Sequence, residues 1–241
     1  MKLAGIVSLA WVFCAGAVTV DTDFLRLSID TNGVLTEFID RTANTNYAVA
    51  RPFAFARVGG KLLPTTGMRA EGKLLIFGFA PSAAELRLRL SVAKDSIIVE
   101  TVSATGADMY RFVSGHLSLE GKPGEPFEAC VLALSLNTIV PSPAYPKPSR
   151  FLTADIHAKS GFEQARVAIA AAPSGKLQRI LRRLVKKDGE LPWSPLGGPF
   201  ADEPAVCRGS YLFAHISEAD ADAWIALAKN IGVTQLDFDG M

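Results

Sequence analysis

Two carboxylic acids, Asp237 and Asp239, stand two positions apart at the end of a short apolar run. Side chains two apart on a β-strand project to the same face. A carboxylate accepts charge-assisted hydrogen bonds, so such a pair can hold neighbouring hydroxyl groups of a ligand. The alternative is that both are solvated acids at the end of a strand, or that Asp239 caps a following element. For Asp237 this alternative is favoured.

The residues before the two acids predict a strand–helix–strand segment. Tyr211-Leu212-Phe213-Ala214 is typical of a buried strand, and residues 233–238 form a second one. Between them, Ser217 and Asp220 have the spacing of a capping box at a helix start, and Gly232 is placed to end the helix. Apolar residues recur at helical spacing within it: Trp224, Ile225, Leu227, Ala228 and Ile231. We therefore expect residues 208–241 to be the incomplete start of a barrel of parallel βα units, with the remaining strands absent.

Alternating apolar and polar residues dominate the chain upstream. Period-two runs and turn signals extend from Asp23 to about Ala172, with turns at Thr31-Asn32-Gly33, Gly59-Gly60 and Lys94-Asp95. Ten or more short strands with one apolar face favour a large antiparallel β-sandwich over residues 18–172. The fold class predicted is mainly β, with a linking helix and a partial β-α-β barrel segment after the sandwich.

Residues 173–207 predict the linking helix and a linker rich in proline and glycine. Ser174 is placed to cap a helix with one apolar stripe, which consists of Leu177, Ile180, Leu181, Leu184 and Val185. Asp188-Gly189 would end the helix. Its basic cluster contains Arg179, Arg182, Arg183, Lys186 and Lys187, and we expect a solvated face there rather than a phosphate-binding patch.

The N-terminus has the pattern of a signal peptide over residues 1–17. Lys2 precedes an apolar run from Leu3 to Phe13, and Ala15-Gly16-Ala17 fits the small-x-small rule for signal peptidase. The apolar run is too short for a transmembrane anchor. We expect cleavage after Ala17, a secreted or periplasmic protein, and no membrane association after cleavage.

Charge and motif content exclude several function classes. Lys+Arg 25 against Asp+Glu 24 leaves a formal charge of +1, which gives no reason to expect a nucleic acid partner. The sequence has no dinucleotide-binding fingerprint, P-loop or nucleophile elbow, so no cofactor is expected. Metal ligands at suitable spacing are also missing. Cys130 and Cys207 could pair in an oxidising compartment, but two unpaired buried thiols are the expected state.

The order of these elements resembles a family of secreted glycosidases. In the α-galactosidase-like group, a galactose-mutarotase-like supersandwich precedes a catalytic (β/α)₈ barrel. There, a helix ending in Ala-x-x-x-Gly leads to a strand ending in apolar-Asp-Asp-Gly-Trp, whose acids hold sugar hydroxyls. Here Ala228 and Gly232 match the helix end and Asp239-Gly240 the strand end, whereas Phe238 and Met241 replace the first acid and the aromatic. The resemblance implies a carbohydrate partner, an oligo- or polysaccharide, bound by Asp239 and Asp237.

Two functions remain open at this stage. The first is the N-terminal part of an exported glycoside hydrolase-like protein, with the sandwich supporting a mostly absent catalytic barrel. Glycoside hydrolysis needs two carboxyls flanking the bond. In the family these come from later barrel strands, so no catalytic residue is assigned and the chain alone should be inactive. The alternative is a complete, non-catalytic, secreted glycan- or protein-binding β-sandwich. A mutarotase-like epimerase ranks last, because the spacing of His116, His157 and His215 suggests no converging base and acid.

Overall fold

The chain divides into two compact units, Met1–Leu191 and Pro192–Met241. A computed structural model describes residues 12–14, 17–117, 126–141, 151–188 and 211–238. In these residues the first unit contains three antiparallel sheets and one α-helix, and the second contains one α-helix and two parallel strands. The predicted fold class is confirmed: the protein is mainly β, with antiparallel sheets followed by a helix and a β-α-β segment.

The first sheet contains the N-terminal hairpins. Its strands are β1 (Val12–Cys14), β2 (Ala17–Asp21), β3 (Leu25–Ile29), β4 (Val34–Asp40) and β5 (Thr45–Asn46), and β7 (Arg51–Pro52) also pairs with β4. The turn between β3 and β4 forms where the sequence predicts it. One Asp30 carboxylate oxygen accepts hydrogen bonds from the backbone N–H groups of Asn32 at 3.0 Å and Val34 at 2.8 Å. Gly33 has a φ of +76°, which a residue without Cβ adopts at little cost.

The second sheet has a polar outer face at β12 and β13. Its strands, in spatial order, are β10 (Gly67–Glu71), β11 (Leu74–Gly78), β12 (Glu85–Val92), β13 (Ser96–Thr105), β18 (Arg166–Pro173) and β15 (Phe127–Ala133). Leu86, Leu88 and Leu90 point into the core, as the alternation predicts. Arg87 and Arg89 point outward and pair with Glu85 at 2.7 Å and Glu100 at 3.3 Å.

The third sheet contains a bulge in its central strand. Its strands, in spatial order, are β16 (Thr138–Ile139), β17 (Phe151–His157), β14 (Met109–Leu117), β8 (Phe55–Val58) and β9 (Lys61–Pro64), and β6 (Ala48–Val49) pairs with β14. Val113 in β14 has a φ of +49°, unusual for a β-branched residue. The next N–H, that of Ser114, donates to the Phe53 carbonyl at 2.9 Å. The bulge thus ties β14 to the segment before β8.

One continuous core joins the three sheets. Its members come from every sheet, including Leu27, Phe77, Val99 and Phe112, each at most 2% exposed. Tyr110 is also fully buried, and its hydroxyl donates to the carbonyls of Glu85, at 3.1 Å, and Thr105. Burial raises the pKa of Tyr110 to about 12. A buried phenol with satisfied polar contacts is compatible with an apolar core.

Helix α1 (Leu177–Asp188) packs on β18 and β15 of the second sheet and so belongs to the sandwich unit. Val167, Ile169 and Ala171 of β18 face the core, and the alternating alanines of the same strand are buried on the opposite face. Small side chains there let the helix approach the strand closely, and the predicted apolar stripe of α1 is buried. The helix begins three residues after Ser174, whose hydroxyl donates to the Glu128 carboxylate at 2.9 Å.

The predicted export signal stays a prediction. Residues 1–11 lie outside the described residues, and β1 pairs with the first residues of β2. Cleavage after Ala17 would remove β1 and leave Val18, a fully buried core residue, at the new N-terminus. Strand β2 would keep its pairing with β3 from Val18 onward. The first sheet would therefore retain its connection to the core after processing.

Candidate functional site

The candidate site lies in the second unit, on a parallel pair of strands joined by a helix. Strand β19 (Tyr211–Ala214), helix α2 (Ala221–Ile231) and strand β20 (Gln235–Phe238) follow one another in the chain. The strands pair in parallel with Tyr211 opposite Gln235 and Phe213 opposite Asp237. The predicted β-α-β order is confirmed, and parallel pairing explains why a helix must return the chain between the strands.

The end of α2 forms as predicted. Gly232 has a φ of +77°, and its N–H donates to the Lys229 carbonyl at 3.3 Å. The Val233 N–H donates to the Ala228 carbonyl at 2.9 Å, which completes the Schellman pattern. This termination turns the chain directly into β20.

The start of α2 differs from the prediction. The helix begins at Ala221, so Asp220 rather than Ser217 is the residue that flanks it. The Asp220 carboxylate accepts hydrogen bonds from the Ser217 backbone N–H at 2.6 Å and hydroxyl at 2.7 Å. These bonds lower the pKa of Asp220. The acid thus makes the reach-back contact of a capping box, while the intervening residues form a turn instead of a first helical turn.

Asp237 is the predicted site residue that the structure describes. It lies near the carboxyl end of β20, and its side chain is half-buried. The Gln235 side-chain amide donates to Asp237 Oδ1 at 3.1 Å, which restricts the orientation of the carboxylate. Asp239 lies outside the described residues, so its place beside Asp237 stays a prediction.

Two aromatic rings share the strand face of Asp237. Because side chains alternate along a strand, the register places Tyr211, Phe213, Gln235 and Asp237 on one face, here called the open face. Tyr211 is 60% exposed and Phe213 is 67% exposed, with their ring centroids 5.3 Å apart. The sequence predicts a buried strand at Tyr211–Ala214, whereas the rings of its first and third residues are mostly exposed. A period of two places Tyr211 and Phe213 on one side of β19, but only the pairing with β20 places them on the side of Asp237.

The other face of the two strands is the better covered one. Ala214 of β19 and Ala228 of α2 are buried, and Leu212 and Leu236 are half-buried. Helix α2 nevertheless keeps apolar side chains in contact with solvent: Ile225 at 43%, Leu227 at 43% and Ile231 at 57% exposed. The second unit therefore shows apolar surface both on its open face and on its helix.

The third sheet contains a bidentate ion pair with a structural role. Arg111 Nε and Nη2 donate to Asp155 Oδ1 and Oδ2, both at 2.8 Å, across the paired strands β14 and β17. The Asp155 side chain is 9% exposed and the Arg111 side chain 33% exposed. The hydrogen bond from Asp155 raises the pKa of Arg111. Both carboxylate oxygens accept from the guanidinium, so the ion pair joins β14 to β17.

The described residues include a thiol but neither a metal-ligand cluster nor a membrane-spanning helix. Cys130 is a free thiol there, and burial raises its pKa, while Cys207 lies outside this range. No group of three or more His, Cys, Asp or Glu residues in the described ranges is arranged to hold a metal ion. The helices within the same ranges are all too short or too polar to span a bilayer.

Comparisons with known proteins assign no family. No family model matches the chain, and no curated protein matches it. An active YidC insertase with its first transmembrane domain resolved is similar at 13% identity and a TM-score of 0.38, over 75% of this chain and 43% of that one. A GH31 family sulfoquinovosidase from E. rectale is similar at 9% identity and a TM-score of 0.36, over 93% of this chain and 40% of that one. The chain thus spans less than half the length of either protein.

Proposed function

We propose that the chain is the N-terminal part of an exported, carbohydrate-acting protein of the glycoside hydrolase kind. In this proposal the antiparallel sandwich is followed by the first βα units of a catalytic (β/α)₈ barrel. The observation that carries it is the open face, where Phe213 and Tyr211 are mostly exposed on a parallel strand pair whose other face carries the helix.

The physical reason is the way parallel sheets are stabilised. Parallel strands occur almost entirely in folds that cover both faces of the sheet. In a (β/α)₈ barrel the helices lie outside, and the face opposite them is filled by apolar side chains from neighbouring strands. Tyr211 and Phe213 stand at such interior positions in this proposal. Further βα units would bury them.

Asp237 is proposed as a sugar-binding residue, together with Asp239. Side chains at the carboxyl ends of barrel strands point into the active site. Asp237 occupies that end of β20 and shares the face of the proposed barrel interior. A carboxylate held by Gln235 can accept hydrogen bonds from two sugar hydroxyls. The acid and the nucleophile or base of hydrolysis would come from later strands, so residues 1–241 alone would bind but not cleave.

The first experiment reads the nucleotides downstream of codon 241 in the source DNA. We expect further segments with βα patterning and acidic residues at strand ends. A stop codon followed by no such sequence would overturn the barrel proposal and would favour the non-catalytic binding sandwich.

The second experiment tests the role of Asp237 in catalysis by the protein that the whole reading frame encodes. Hydrolysis of a panel of aryl glycosides identifies the substrate, and Asp237→Asn is then compared with Glu218→Gln, an acid exposed outside the open face. Loss of a charge-assisted hydrogen bond should lower kcat/KM about 10- to 100-fold in the first variant. The second variant should retain full activity. Equal activity in both variants would remove Asp237 from the proposed site.

A further inference from the structure

A cavity of about 370 Å³ lies between the start of helix α1 and the edge of the sandwich. Its lining consists of Phe24, Asp95, Lys176, Arg179, Ile180 and Arg183, here called the basic pocket. Three of these side chains are cations and one is a carboxylate. The lining therefore carries a net charge of two positive units, in a chain whose total is +1.

The carboxylate of the basic pocket fixes one of its cations. Asp95 follows β12 in the turn to β13, and its side chain is only 10% exposed. Arg183 Nη2 donates to Asp95 Oδ1 across 88 residues of sequence. The negative charge of Asp95 is therefore balanced by Arg183, and the carboxylate is held in place. A guanidinium has five N–H groups, so Arg183 can also donate to other acceptors.

The other two cations of the basic pocket have no carboxylate partner among the described residues. Lys176 Nζ lies over the Phe24 ring, 5.0 Å from its centroid, which fixes the ammonium without neutralising it. Arg179 is exposed at the rim and forms no ion pair within the described part of the chain. Ile180 is 6% exposed and supplies an apolar floor.

The position of these cations opposes the helix dipole. Lys176 immediately precedes α1 and Arg179 lies in its first turn, where the dipole favours negative charge. The first turn contains no acidic residue. Cations placed where local electrostatics disfavours them are stabilised when an anion binds between them. Most of the basic cluster is exposed, as the sequence predicts, and the structure adds that Arg179 and Arg183 also line a cavity.

We propose that the basic pocket binds a tetrahedral oxyanion, a phosphate or sulfate group. Arg179 and Arg183 offer N–H groups that match two oxygens of such a group, and Lys176 adds a point charge. The cavity also has room for a small organic part attached to the anion. The pocket lies wholly in the sandwich unit, so this proposal is independent of the proposed barrel.

The test is titration of the purified chain with inorganic phosphate and inorganic sulfate at constant ionic strength, followed by calorimetry and thermal unfolding. Sodium chloride at equal ionic strength is the reference. We expect saturable binding and a rise in Tm that chloride does not produce. Glucose 6-phosphate and glucose 6-sulfate distinguish the source of the group: tighter binding than the inorganic ions indicates an ester ligand.

Variants distinguish specific binding in the basic pocket from non-specific electrostatic attraction. Lys176→Gln and Arg179→Gln should each weaken binding at least about tenfold, because each removes a charge-assisted contact. The matched control is Lys187→Gln, which removes the same charge from the last turn of α1 and should leave the affinity unchanged. In the absence of ligand, Arg179→Gln should unfold at the parent Tm or above it, since it relieves repulsion with the dipole, whereas Lys176→Gln also loses the contact with the Phe24 ring. Equal weakening by Lys187→Gln, or a chloride response equal to that of phosphate, would overturn the proposal.

Discussion

The open face of the second unit makes a prediction about the behaviour of residues 1–241 in solution. Replacing both aromatic residues in the variant Tyr211→Thr/Phe213→Thr should reduce self-association and dye binding. Threonine preserves the preference for a strand while it removes the exposed rings. The two residues are 60% and 67% exposed, so the substitution changes solvent-facing surface rather than an existing core.

The size of the effect follows from the area of the two rings. An aromatic side chain buries about 150–250 Å² in a folded protein, so exposures near two thirds leave roughly 250 Å² uncovered on the pair. At about 25 cal/mol per Å², complete covering of this area would be worth about 6 kcal/mol. Self-association of the chain recovers only part of that value, because association costs translational and side-chain entropy. A tenfold or greater weakening of self-association is therefore the minimum expected from the double variant.

Sedimentation velocity over a concentration series and binding of 8-anilinonaphthalene-1-sulfonate measure the two quantities. The control is Leu62→Thr, an apolar-to-threonine change at a 40% exposed position of β9 in the sandwich unit. It should alter neither quantity by more than about a factor of two, since isolated exposed apolar residues are normal on protein surfaces. Unchanged association in the double variant, or an equal reduction in the control, would refute the reasoning about the open face.

Further predictions concern the sandwich unit. The pKa of Tyr110 is about 12 in the folded protein against 10.0 for a free tyrosine, so the unfolded state loses its proton first. Stability should therefore fall between pH 10 and pH 12 by up to roughly 1.4 kcal/mol per pH unit, and urea titrations should show a smaller fall for Tyr110→Phe. Gly106→Ala should lower the free energy of unfolding by at least about 2 kcal/mol in the same titrations. The reason is that φ at Gly106 is +79° and the new Cβ would lie 3.0 Å from the Ala84 Cα. Asp155→Asn should lower the free energy of unfolding by about 2 kcal/mol. This is less than the loss expected for a fully buried ion pair, because the partly exposed Arg111 regains some solvation. A loss below about 0.5 kcal/mol would contradict a structural role for the pair.

Local signals in the sequence predicted local structure well. The turn between β3 and β4 forms because Asp30 can accept two nearby backbone N–H groups and Gly33 tolerates a positive φ. Helix α2 ends at Gly232 for the same kind of reason. Both signals involve residues within five positions of one another, so the local sequence contains all the partners.

Signals that depend on distant partners were not available from the sequence. The ion pair of Asp95 and Arg183 joins residues 88 positions apart, so the basic pocket could not be predicted from the charge cluster on α1. The role of α1 as a cover for β18 likewise depends on topology, since Ala168, Ala170 and Ala172, on the face away from the core, are 0% exposed. Strand β15 spans Phe127–Ala133 because pairing with β18, a distant segment, sets its bounds.

The candidate site was predicted in part. Alternation along β20 predicts which residues of this strand share a face with Asp237. The structure adds that the Gln235 side chain donates a hydrogen bond to the Asp237 carboxylate. The parallel register with β19 could not be read from the sequence, and it is this register that places Phe213 opposite Asp237. The aromatic part of the open face therefore became visible only from the strand pairing.

Native-state hydrogen exchange of residues 1–241 tests the central claim most directly. If β19 and β20 require further βα units to cover the open face, their backbone amides should exchange through local unfolding at least about 10³-fold faster than those of β13 in the sandwich core. A two-stranded sheet with one helix has too little buried apolar surface to resist opening. Protection of the Leu212 and Leu236 amides equal to that of Val99 would contradict the proposal that this unit is one part of a larger barrel.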